Sequence, residues 1–166
     1  GIICVYQYNS VVKGSIVRYK FYNRSSYYRT FGKILADRVK KTIKISDFDL
    51  IISVPLHRNK ERKRGYNQSL LISKVLSKEL GLRESSSLLI RLKDTGSQSL
   101  LNRKDRLDNL RGAFKVRSED AVRNKNILLV DDVMTTGSTI DECSKVLKKA
   151  GAARVVAAVI ATGRKY

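Results

Sequence analysis

The chain of 166 residues is poor in the residue types that common catalytic and metal-binding devices require. It holds one histidine (His57), two cysteines (Cys4 and Cys143), one proline (Pro55), one methionine and no tryptophan. Too few His and Cys side chains exist to close a tetrahedral metal shell, so a zinc cluster of that kind is excluded. A nucleophile triad is unsupported for the same reason: there is no second histidine, and nothing marks an activated Ser or Cys. The two cysteines lie far apart without a C-x-x-C pattern, which argues against a disulfide framework and for a reducing cytoplasm. No run of eighteen apolar residues occurs, so no membrane span is expected. The opening Gly1-Ile2-Ile3-Cys4-Val5-Tyr6 lacks an initiator Met and a basic n-region. It reads as a strand entered partway rather than a signal peptide, and an earlier natural start is expected.

Acidic residues are also scarce. Thirty-four Lys and Arg face fifteen Asp and Glu, a net charge of +19. Residues 1–46 hold ten basic side chains and one acid, and residues 91–117 hold eight and three. A field of this size favours a polyanionic partner such as nucleic acid. A solvated basic surface that maintains solubility is the alternative.

The length suits one domain with a real core and is too short for two comfortable ones. Short strands are expected at 2–8 and 11–17, and a helix over Tyr27 or Tyr28, Phe31, Ile34, Leu35, Arg38 and Val39. Phe48–Val54 is a nearly continuous apolar run, as in a buried parallel strand, ending at Pro55. Asn67–Leu80 predicts a helix with Leu71, Val75, Leu76 and Leu80 inward and Gly81 as its stop. Leu88–Leu92 and Ala113–Val116 predict short strands around a long polar loop, residues 93–112. Ile127–Val130 predicts the central strand, and Ser138 or Thr139 is expected to cap a helix burying Ile140, Cys143, Leu147 and Ala150. Arg154–Ala161 closes the list as a last strand. Alternating strands and helices argue for an α/β fold, a mostly parallel sheet flanked by helices. Ligands of such sheets bind beyond the carboxyl ends of the strands.

Three segments carry chemistry. The first is Ile127-Leu128-Leu129-Val130-Asp131-Asp132-Val133-Met134-Thr135-Thr136-Gly137-Ser138-Thr139. Two adjacent carboxylates at a strand end can accept from neighbouring ribose hydroxyls or hold a hydrated Mg²⁺ ion. The small hydroxyl residues and Gly137 then offer backbone N–H groups to a phosphate at the head of a helix. The second is Val54-Pro55-Leu56-His57-Arg58 with Arg62, Arg64, Gly65, Tyr66, Asn67 and Gln68. A turn with guanidinium forks suits a pyrophosphate, and His57 could donate to phosphate, stack on a base or be an ordinary loop histidine. The third runs from Arg91 through Gln98 to Phe114, where Lys93, Gln98 and Arg103 could close over a leaving group and exclude water. Upstream, Tyr6, Tyr8, Tyr19, Phe21 and Tyr22 lie among basic residues, where they could stack bases or form a local core.

The first segment closely resembles the phosphoribosyl pyrophosphate (PRPP) signature of type I phosphoribosyltransferases. Taken with Val54-Pro55-Leu56-His57, Arg64-Gly65-Tyr66-Asn67-Gln68 and the series Gln98, Leu100, Arg106, Asn109, Gly112-Ala113-Phe114, the chain resembles the bacterial competence protein F family. The resemblance reaches upstream to Tyr8 and to Arg18-Tyr19-Lys20-Phe21-Tyr22. It implies a small N-terminal hood within 1–46 and a phosphoribosyltransferase core over 47–166, in one compact domain. It implies ribose and water-mediated Mg²⁺ contacts at Asp131 and Asp132, and a 5-phosphate cradle of Thr135, Thr136, Gly137, Ser138 and Thr139. A pyrophosphate turn of Leu56, His57 and Arg58, backed by Arg62 or Arg64, and a flexible loop bearing Lys93, Gln98 and Arg103 follow in the same way. The reaction implied is displacement of pyrophosphate from C1 of PRPP in a cytoplasmic, DNA-uptake setting, with single-stranded DNA, competence-machinery proteins and a second copy of the chain as partners. Members commonly begin with a four-cysteine zinc segment that this sequence does not contain, so no zinc role is carried over. Two other functions stay open: a non-catalytic PRPP-sensing or single-stranded-DNA-binding module, and a nucleobase salvage enzyme.

Overall fold

The computed structural model describes residues 1–7, 14, 27–94 and 110–163. Five strands form one parallel sheet in the order β1-β7-β6-β2-β3, with β1 Ile2–Gln7, β2 Leu50–Ser53, β3 Arg83–Glu84, β6 Asn126–Met134 and β7 Arg154–Thr162. A separate antiparallel pair, β4 Leu89–Arg91 and β5 Phe114–Val116, leads into and out of the polar loop. The helices are α1 Tyr27–Thr42, α2 Arg58–Arg64, α3 Gln68–Leu80, α4 Glu119–Val122 and α5 Ser138–Lys149. The expected α/β architecture is therefore present, with parallel strands joined by crossover helices.

Period-two alternation divides the core between the two faces of the sheet. Leu50, Ile52, Ile127, Leu129, Ala157 and Val159 pack with α5 and the β4–β5 pair. Ile51, Leu128, Val130, Val156, Ala158 and Ile160 pack with α1 and α3. Both faces are covered, which explains why Leu50–Ile52 and Ile127–Val130 read as unbroken apolar runs. On α5 the buried set includes Ile140, Cys143 and Leu147, the stripe expected from sequence. Burial, with Asp131 nearby, pushes the Cys143 thiol well above its usual range, and burial also raises that of Cys4. Thiol reagents attack the thiolate. At pH 8 we expect an aromatic disulfide reagent to label Cys4 slowly and Cys143 only as the domain unfolds. Rapid native labelling of both would show that the α5 face opens.

Three expectations are corrected. The central strand does not end at Val130 but runs to Met134, because β7 keeps pairing with it through Asp131↔Val159, Val133↔Ala161 and Met134↔Thr162. The buried stripe of α3 is Gln68, Ser69, Ile72, Ser73 and Leu76, while Leu71 and Val75 are half-buried. Its first turn faces a polar region, so hydrophobicity alone misplaced the stripe. The cap of α5 is Gly137, at φ 83, with no side-chain cap bond, rather than Ser138 or Thr139. The left-handed backbone at this turn is what demands glycine. In the N-terminal segment Ile2–Gln7 is the expected short strand, paired in parallel with β7 at the sheet edge, and α1 packs on the core. Of the segment expected as a strand over 11–17, only Gly14 is described, and it is helical; the rest lies outside the described residues.

Candidate functional site

The site begins where two neighbouring strands part. β2 and β6 pair up to Ser53↔Val130, and the Val54 N–H still donates to the Val130 carbonyl at 2.8 Å. Pro55 follows, with no N–H to continue the ladder, so the chain turns away. β6 continues alone on that side. Asp131 and Asp132 follow on it, buried, 8% and 3% exposed.

Each carboxylate is held by defined donors. Ser69 Oγ on α3 donates to Asp131 Oδ1 at 2.8 Å, and the Asp132 N–H donates to the same oxygen at 2.9 Å. The Val133 N–H donates to Asp132 Oδ1 at 2.8 Å. From the other side, the Asp131 charge acts on the guanidinium of Arg91 and on the Cys143 thiol. Arg91 itself lies over the Phe114 ring, 5.4 Å from its centroid, and its Nε donates to the Lys93 carbonyl. Beyond Met134 the chain makes the hydroxyl turn. Thr136 Oγ1 and Ser138 Oγ lie 3.0 Å apart, Ser138 is buried, and the Asp141 N–H donates to the Gly137 carbonyl as α5 begins. Backbone N–H groups at such a turn and helix start form an anion cradle.

The second segment leaves the adjacent strand end. His57 caps α2: its Nδ1 accepts from the Asn59 N–H at 3.3 Å. The same Nδ1 lies 3.5 Å from Asp94 Oδ2. The two contacts compete for Nδ1, which accepts in the first and must carry the hydrogen in the second. Asp94 also lies 3.9 Å from Lys60 Nζ. Burial and the nearby Arg91 lower the Lys60 pKa, with Asp94 opposing. Arg58 and Arg62 are exposed on α2, and Arg64 Nη1 donates to Gln68 Oε1. A cavity of 610 Å³ starts at Leu56, His57 and Arg58 and runs past Arg91 toward Lys74 and Arg117.

The structure thus brings the turn of Leu56, His57 and Arg58 beside the strand that carries Asp131, Asp132 and the Thr135–Thr139 turn. Lys93 stands at the base of the polar loop, where its Nζ donates to the Arg111 carbonyl at 2.9 Å. Gln98 and Arg103 lie outside the described residues. Sequence reasoning gave Ser69 and Asn67 no role, nor Lys60, Arg91 and Asp94, although Asn67, Arg91 and Asp94 stand within the segments it singled out. The signal for the first two was available: three polar residues, Asn67-Gln68-Ser69, open a helix that must be buried on one face. Among the described residues no group of three or more His, Cys, Asp or Glu side chains could hold a metal ion. An all-protein metal cage is therefore not offered, whereas two adjacent carboxylates fit a Mg²⁺ ion that keeps water and borrows substrate phosphates.

A family model, the phosphoribosyl transferase domain, matches residues 30–166. Competence protein F of Haemophilus influenzae is 39% identical over 140 residues, covering 82% of this chain and 61% of that protein. The DNA utilization protein YhgH of Escherichia coli O6:H1 is 34% identical over 157 residues, covering 93% of this chain and 68% of that protein. The chain belongs to the phosphoribosyltransferase family, in its competence protein F branch. It spans roughly six to seven tenths of these curated relatives, 61% and 68% of their lengths. Among solved structures, the glutamine PRPP amidotransferase of B. subtilis, complexed with ADP and GMP, superposes with a TM-score of 0.59 at 19% identity, over 86% of this chain and 30% of that one. That likeness shows the phosphoribosyltransferase fold. Among the described residues no helix is long and apolar enough to cross a membrane.

Proposed function

We propose that this phosphoribosyltransferase-family chain binds PRPP where β2 and β6 part and transfers its phosphoribosyl group to an acceptor. The observation that supports this most is the buried carboxylate pair on β6, which runs directly into the Gly137 turn and the start of α5. Asp131 and Asp132 accept from the ribose hydroxyls. The hydroxyls and N–H groups of Thr135, Thr136, Gly137, Ser138 and Thr139 hold the 5-phosphate. Leu56 and His57 present backbone and ring to the pyrophosphate, with Arg58 and Arg64 supplying positive charge. Lys93, Gln98 and Arg103 close from the loop. Asp131 and Asp132 would hold Mg²⁺ through water, and the ion, when bound, neutralises the leaving pyrophosphate. Displacement at C1 needs positioning and charge stabilisation more than covalent help, and that is what these residues provide.

A second reading draws on the charge of +19, far beyond what one PRPP molecule with about four or five negative charges needs. Under it the chain is a PRPP-sensing or single-stranded-DNA-binding module that works with competence proteins, and a homodimer would double the basic surface. The names of the relatives, Competence protein F and DNA utilization protein, favour a place in DNA handling over nucleobase salvage. Calorimetric titration with PRPP and Mg²⁺, run in parallel with a short single-stranded DNA, separates the readings. Micromolar PRPP binding is common to the first reading and to a PRPP sensor, and turnover with an acceptor decides for the first. Tight, salt-sensitive DNA binding without PRPP binding overturns it in favour of the second.

A further inference from the structure

The first turn of α3 is polar where it should be apolar. Asn67, Gln68 and Ser69 are 7%, 5% and 1% exposed, yet the stripe below them continues as Ile72 and Leu76. Buried polar groups are costly unless they are hydrogen-bonded, so their partners say what the turn is for. Asn67 Nδ2 donates to the Val54 carbonyl at 3.2 Å, at the root of the pyrophosphate turn. Asn67 Oδ1 accepts from the Ser69 and Leu70 N–H groups at 3.0 and 3.3 Å and so starts the helix. Ser69 Oγ donates to Asp131 Oδ1 at 2.8 Å. Gln68 accepts from Arg64, the last residue of α2, and Gly65 at φ 85 turns the chain between the two helices. One short stretch, Arg64 to Ser69, therefore touches the segment after β2 and the carboxylate on β6.

We infer that this turn holds the two halves of the site in register, with Ser69 as the positioning residue of Asp131, an inference that rests on the PRPP reading above. The Ser69 hydroxyl, with the Asp132 N–H, fixes Oδ1 and thereby the direction in which the carboxylate meets a ribose. It does not reach the pyrophosphate end. Removing it loosens one half of the site and leaves the other as it was.

The test titrates wild type, Ser69→Ala and Ser69→Thr with PRPP–Mg²⁺ and, separately, with inorganic pyrophosphate–Mg²⁺. Loss of a hydrogen bond to a charged group corresponds to a weakening of about tenfold or somewhat more. We expect Ser69→Ala to lose that factor for PRPP, to keep pyrophosphate affinity within about twofold, and Ser69→Thr to recover most of the loss. Ser69→Cys, nearly the size of serine and a weak donor, replaces the alanine variant if that fails to fold. Unchanged PRPP affinity, or an equal loss for both ligands with a lowered melting temperature, overturns the positioning role. Wild-type protein that binds pyrophosphate but not PRPP removes the PRPP reading itself, and this inference with it.

Discussion

Asp131→Asn together with Asp132→Asn is expected to abolish PRPP binding while leaving the domain as stable as before, or more so. Asparagine is close to aspartate in shape, and its amide oxygen can still accept from Ser69 Oγ and from the Asp132 and Val133 N–H groups. What disappears is charge: two adjacent carboxylates, 8% and 3% exposed, which repel each other and are largely removed from water. The fold gives up the attraction between Asp131 and the Arg91 guanidinium but no longer buries two like charges, and these changes offset each other. The ligand, in contrast, loses charge-assisted hydrogen bonds to its hydroxyls and the negative wall that a hydrated Mg²⁺ ion would face. At about 1.5–3 kcal/mol for each such bond, affinity should fall a hundredfold or more. Calorimetry on the folded variant, alongside its melting curve, reads both effects. A fully retained affinity would place the ribose elsewhere. A collapse in melting temperature would show that the carboxylates brace the strand instead of serving a ligand.

The opposition between stability and use also explains which parts of the molecule were legible. Apolar periodicity showed β2, β6, β7, α1 and α5, because those elements answer to burial, and burial is written in residue type. The acid pair was legible for the opposite reason: nothing in folding calls for Asp-Asp after Val130, so its presence points to a ligand. Where the two demands meet, sequence reasoning failed. At the head of α3 the buried face is Gln68, Ser69 and Ser73, and a hydrophobic reading rotated the helix toward Leu71 and Val75. Carboxylates look like a turn and so put the end of β6 at Val130, whereas pairing with β7 carries the strand on to Met134. Gly137 was read as a phosphate contact and its neighbours as caps, since a φ of 83 is a tertiary fact. Partners such as Asp94 with His57, thirty-seven positions apart in the chain, had no local signal.

Gly32→Ala is expected to destabilise the protein, although alanine is the better helix former. Gly32 faces α3 from the buried side of α1, and a Cβ there would lie 2.5 Å from Val75 Cβ and 2.6 Å from Val75 Cγ1. The helices are this close because glycine and Ala36, one turn apart on α1, leave room for them. Helix propensity returns about 1 kcal/mol, while forcing a methyl group into a packed seam costs about 1–3 kcal/mol and here, against a Cβ that cannot rotate away, the upper part of that range. The net loss of about 1–2 kcal/mol corresponds to a fall of roughly 2–8 °C in melting temperature for a chain of this size. Val75→Gly removes the atoms in the way, so the pair Gly32→Ala with Val75→Gly should be more stable than the two separate losses add up to, by about 1 kcal/mol. The same contact bears on the site. α3 carries Val75 in its middle and Ser69 at its head, so pushing the helix away from α1 shifts the hydroxyl that fixes Asp131. PRPP affinity should therefore fall with stability in Gly32→Ala and recover in the double variant. Additive stabilities, with no recovery of binding, would mean that the helices adjust around the methyl group and that α3 is not held where the carboxylate needs it.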